Sequence, residues 1–239
     1  MAALGRWSGS NGLDGVLREF LAMLHEARQA LELALAARLG DVEVAETCAA
    51  VAELEERGDA AEIRLRRLLL VHASVHGAGD IPACLTYMSI GKDAERISDL
   101  ALGLCQIAER SAPPPSPARD DLALLGRTVV SVLEQVAQVI AADDEDGARA
   151  LIKEARAVQQ ACTARLDDVV RQESGDDVPH AQAFDTGGDP IDNRAVATGQ
   201  PVALALSYRH LGRIAANALN IASSVVVPLD HLDYPASLE

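Results

Sequence analysis

Lys92-Asp93-Ala94-Glu95-Arg96-Ile97-Ser98-Asp99-Leu100-Ala101-Leu102-Gly103-Leu104 decides how the chain folds. Ile90, Ala94, Ile97, Ala101 and Leu104 recur at three- and four-residue steps, which is the pattern of a helix with one buried side. Later in the chain, Arg213-Ile214-Ala215-Ala216-Asn217-Ala218-Leu219-Asn220-Ile221 repeats Arg, Ile, Ala and Leu at the same places as the run from Arg96 to Leu104. Two helices related in this way, one in each half of the chain, predict a duplicated all-helical fold.

Working outward, the apolar period predicts five further helices, over 13–39, 42–76, 120–142, 145–173 and 201–227, around the one at 80–110. Asn11 and Asp80 stand where N-caps belong, and Pro82 is tolerated in a first turn. Gly58 predicts a bend or slight break within the second helix. Gly77 and Gly79 end that helix, and Pro228 stops the last. The run Ala112-Pro113-Pro114-Pro115-Ser116-Pro117-Ala118 cannot be helical and reads as a stiff linker. The fold expected is all-α: two tandem three-helix bundles over 11–110 and 119–228, joined at 111–118. Residues 174–199, rich in Gly, Asp and Pro and without periodicity, read as a long mobile loop in the second unit.

Composition agrees with helices packed through small side chains, since 49% of residues are hydrophobic but only 3% aromatic. A formal charge of −15 excludes a nucleic-acid binder, because no basic surplus exists to neutralise phosphates. Cys48, Cys84, Cys105 and Cys162 lie far apart inside apolar helical patterns and read as buried thiols of a reducing compartment. Residues 1–11 lack the apolar core of a signal peptide, and no uncharged apolar run of about 18 residues is present. The protein is expected to be cytoplasmic, peripheral to a membrane at most.

Chemistry concentrates on the third helix. Glu95 and Asp99 are four residues apart and share a face about 160° from Ile97, opposite the packing stripe. Two carboxylates so placed can hold a hard divalent cation, with waters completing the shell, and they repel each other mildly without one. Asp93 is a neighbouring candidate. The alternative is a solvated acidic face offset by Lys92 or Arg96. His72 and His76 are also four apart and could ligate zinc, but no Glu follows His72 as in a zinc-protease motif, so they read as an exposed pair. His210 stands without any ATP-binding segment after it and reads as an ordinary helix histidine. The chain holds no phosphate-cradling GxxxxGK[ST], no GxSxG and no Glu-x-x-His pair, which leaves nucleotide, hydrolase and di-iron chemistry without footing.

The run from Lys92 to Ala101 resembles the signature of the PhoU family, in which Glu-Arg-Ile-Gly-Asp-His-Ala follows an acidic residue and a leucine on the third helix of each repeat. Asp80-Ile81-Pro82 stands in the place of that family's Asp-Leu-Arg, and Asn220-Ile221-Ala222 is similar to its Asn-Ile-Ala. The resemblance implies a non-enzymatic regulator of phosphate transport or phosphate-responsive signalling. It implies as partners a phosphate ABC transporter, a phosphate sensor histidine kinase, or both, with a homodimer left open. It also implies a divalent or ferric metal ion (Mg, Mn, Zn or Fe) at Glu95, Asp99 and neighbouring Asp93. The chain departs from the pattern at Ser98, Leu100 and Pro82. In the second half the positions matching Glu95 and Asp99 are Gly212 and Ala216, neither of which has a ligand atom to offer. Two other readings compete: a helical-bundle interaction protein without metal, and a metal-dependent enzyme. The second would need a base and a substrate clamp beside the acids.

Overall fold

The protein was analysed as a computed structural model, which describes residues 12–76, 78–174 and 199–232. The described residues form six α-helices: α1 (Asp14–Leu39), α2 (Val44–His76), α3 (Ile81–Arg110), α4 (Ala118–Ala142), α5 (Glu145–Ser174) and α6 (Gly199–Ser223). Single 3₁₀ turns at Ala78–Asp80 and Leu229–His231 complete them, and no strand occurs among the described residues.

Helix ends follow local chemistry. Gly40, at φ 76°, closes α1, with its own N–H and that of Asp41 donating back to Ala37 and Ala36. A side chain there would strike Pro113, whose Cγ lies 2.5 Å from where the Cβ would stand, so this position needs glycine for both its backbone and its space. The Glu43 carboxylate caps α2 by accepting the N–H groups of Ala45 and Glu46 at 3.1 and 2.7 Å. Asp143, at φ 52°, closes α4, and the Asp144 carboxylate then accepts the Gly147 N–H at the start of α5.

Three sequence expectations need adjustment. Gly58 does not break α2, which runs unbroken from Val44 to His76; it is buried, and Ser98 of α3 lies 3.5 Å from its missing Cβ, so it serves close packing of two helices. Asp80 precedes α3 but makes no capping bond, its carboxylate being engaged by His72. α6 ends at Ser223, not at Pro228, where the Ser223 and Ser224 hydroxyls donate to the carbonyls of Asn220 and Ile221. Asn11, Gly77 and the 174–199 loop, apart from its end residues, fall outside the described residues.

α1, α2 and α3 pack against one another, as do α4, α5 and α6; the two trios meet where α1 touches α4 and α3 touches α6. Small side chains allow these approaches, with Ala27, Ala30 and Ala34 of α1 fully buried. Phe20 and Tyr87 meet edge to face at 5.9 Å inside the first trio. Across the seam, Gly126 admits Leu35 and Gly103 admits His210, whose ring nitrogen Nε2 lies 2.5 Å from the position of a Cβ. By length and composition α4 is apolar enough to cross a membrane, but Leu122, Val129, Val132, Leu133, Val136 and Ile140 are buried in the core. All four cysteines are buried free thiols.

Candidate metal face between α2 and α3

The predicted stripe of α3, Ile90, Ala94, Ile97, Ala101 and Leu104, is buried in the core. Glu95 and Asp99 lie away from it; Asp99 is exposed, but Glu95 is not. Glu95 is only 9% exposed, because α2 runs antiparallel beside this flank of α3. From α2 come Glu55, Asp59 and Glu62, at four- and three-residue steps that put all three on one face. Gly58 and Ser98, in contact at the centre of this face, let the two helices run close.

The result is a ladder of acids. At one end the Lys92 ammonium donates to Glu95 Oε2 at 2.6 Å, and Glu62 is held by Arg66 at 2.6 Å. At the other end Glu55 and Asp99 lie close enough to raise or lower one another's pKa, with the charge of Asp59 acting on both. Burial, then the charge of Glu95, then that of Asp59, push the Asp99 carboxyl above its usual range. Burial pushes Glu55 up in the same way, with Asp59 and Asp99 adding to it. Lys92 is raised by its bond to Glu95 and held firmly cationic.

Asp93 belongs elsewhere. Two residues before Glu95, it lies about 200° around the helix, is 4% exposed, and has Arg96 at 3.9 Å. The structure therefore brings together Glu95 and Asp99 from the sequence reading and adds Glu55 and Asp59, which that reading missed. Their signal was the acidic four-residue step on α2, but only tertiary register reveals that it faces the matching step on α3. Oxygen ligands in this number suit a hard cation such as Mg²⁺, Mn²⁺ or Fe³⁺.

The matching place in the second trio is the reverse in charge. Gly212 and Ala216 line a groove of about 250 Å³ between α5 and α6, flanked by exposed Arg209 and Arg213. The missing Cβ of Gly212 would stand 3.2 Å from Cys162 Cβ, so a side chain there would press on α5. Beside it Asp121 accepts from Arg165 at 2.9 and 3.0 Å and from the Tyr208 hydroxyl at 2.9 Å.

Comparison with known proteins finds likeness to one family. Residues 20–109 match the family model of the PhoU domain. No curated protein matches the sequence. Among solved structures, PhoU from Pseudomonas aeruginosa is similar at TM-score 0.74 and 18% identity, the match covering 90% of this chain and 95% of that one. The phosphate transport system regulatory protein PhoU from Streptococcus pneumoniae is similar at TM-score 0.73 and 14% identity, covering 93% and 95%. At these identities the likeness establishes the fold.

Proposed function

We propose that the chain is a PhoU-type protein, its residues 20–109 matching the PhoU domain model and its fold that of two PhoU structures, and that it is a non-catalytic, cytoplasmic regulator that restrains phosphate uptake or phosphate-responsive signalling. It acts by docking on a phosphate transporter or on the sensor kinase coupled to one, and its two helical trios, 11–110 and 119–228, are copies of one unit. Glu95 and Asp99, with Glu55 and Asp59, hold a divalent or ferric ion on the first trio; the second trio holds none. The observation that carries the metal reading is the acidic step of α2 facing that of α3, where burial and like charges push Glu55 and Asp99 above the usual carboxylate range. A cation placed there would relieve the repulsion of the four carboxylates. Asp93, turned away and paired with Arg96, lies outside the proposed site. Docking is supported by the family and by the regulatory role that the Streptococcus pneumoniae protein's description carries.

Co-purification tests the docking. The tagged protein, drawn from phosphate-replete cells, is expected to bring down a phosphate-transporter subunit or its sensor kinase. The Glu95→Gln/Asp99→Asn variant is expected to bring down less. Recovery of neither partner, under conditions that preserve known transporter complexes, would remove the docking reading.

A further inference from the structure

We propose that His72, His76 and Asp80 form a transition-metal site, taking Zn²⁺, where α2 turns into α3. The inference stands apart from the regulatory reading and concerns different ligands. His72 lies thirteen residues beyond Asp59, about 20 Å along α2 from the acidic ladder.

Two imidazoles one helical turn apart and a carboxylate are the ligand types that zinc prefers, whereas Mg²⁺ and Mn²⁺ prefer oxygen alone. One nitrogen from each ring and a carboxylate oxygen all lie within 4.8 Å of one another. Tetrahedral zinc with bonds of about 2.0–2.1 Å needs its ligand atoms about 3.4 Å apart. Small side-chain rotations close that difference. The pair is not the exposed one that the sequence suggested: His72 is buried, with Asp80 at 2.8 Å from its Nε2, while His76 is exposed. The two rings lie stacked at 4.3 Å and 17°.

A second observation concerns the start of α1. The point where a Cβ of Gly12 would stand lies 2.6 Å from His72 Nδ1 and 3.0 Å from His76 Nε2. Both rings thus turn a nitrogen toward one spot, past which the chain passes only because residue 12 has no side chain. Asp80, instead of capping α3, is spent on His72. That places its carboxylate oxygen beside the two rings, where it can serve as the third ligand. Zinc at this place would tie the last turn of α2 to the first of α3, and open coordination positions would face solvent beside His76.

The test is Zn²⁺ titration of the full-length protein by calorimetry, with Co²⁺ absorption as a second readout of imidazole ligation. The variants are His76→Gln, Asp80→Asn and the acidic-face double variant Glu95→Gln/Asp99→Asn. The expected result is one Zn²⁺ bound by the wild type. His76→Gln and Asp80→Asn should each weaken it at least about tenfold, and the acidic-face variant should bind it as the wild type does. His76 is exposed, so its variant keeps the fold, which circular dichroism verifies. The proposal is overturned if the wild type binds no Zn²⁺, if His76→Gln binds it undiminished, or if the acidic-face variant loses it.

Discussion

Arg38 and Ser207 meet at 2.9 Å across the seam between the two helical trios, the guanidinium Nε–H donating to the hydroxyl with both side chains shut off from solvent. Arg38 Nη1 also donates to the Ala112 carbonyl at 3.0 Å, while Nη2 has no partner. Burial lowers the pKa of this cation, and no carboxylate among the described residues bonds it; its compensation comes from the Ala112 carbonyl and the C-terminal dipole of α1. It is a strut joining α1, the end of α3 and α6.

The consequences of removing it depend on shape. Ser207 still donates to the Ala203 carbonyl, and the Ala112 carbonyl still accepts from Gln200, so neither partner is orphaned. Arg38→Met fills the space and removes a costly buried charge, and is expected to change unfolding free energy by about 1 kcal/mol or less. Arg38→Ala leaves a cavity at the seam and is expected to cost about 3 kcal/mol. Urea denaturation of the two variants separates these outcomes.

The acidic ladder makes stability depend on pH in an unusual direction. Glu55 and Asp99 have folded-state pKa values above their unfolded ones, so the folded protein holds protons that the unfolded chain has released. Their repulsion is fully felt above the raised values and is relieved as pH falls through them toward the ordinary range of about 4. In metal-free buffer at neutral pH, Glu55→Gln or Asp99→Asn is expected to stabilise by about 0.5 kcal/mol, a figure already discounted for solvent screening. The gain should vanish below about pH 4, and added Mn²⁺ should raise the melting temperature of the wild type more than that of either variant.

Asp121 in the second trio runs the opposite way. Its hydrogen bonds from Arg165 and Tyr208 hold its carboxyl below the usual range, so its contribution is present above the unfolded value and is lost as pH falls through the folded one. Asp121→Asn is expected to cost about 1 kcal/mol at neutral pH. That penalty should shrink below about pH 4, as denaturation at a series of pH values will show.

Much of this was legible in the sequence, and the rest was hidden for physical reasons. The three- and four-residue period found every α-helix among the described residues, because burial on one side is written directly into residue order. Glu95 and Asp99 were legible as a pair since one helix positions both. Glu55 and Asp59 were not, because their role depends on how α2 sits against α3. Gly58 looked like a defect for the same reason: intrinsic propensity counts its cost, while its contact with Ser98 appears only in the packed pair. His72 was read as exposed because nothing local shows that Asp80 returns to it across the turn. Pro228 seemed to end α6, but two serines upstream compete for its carbonyls first.

Regulation of phosphate uptake is tested most directly by measuring radiolabelled phosphate entry into phosphate-replete cells with and without this protein. Cells lacking it are expected to take up phosphate faster or to express phosphate-starvation genes despite ample supply. Restoring the wild-type chain should reverse this, and the Glu95→Gln/Asp99→Asn chain should do so only in part. Unchanged uptake together with unchanged starvation-gene expression in the deleted cells would contradict the account.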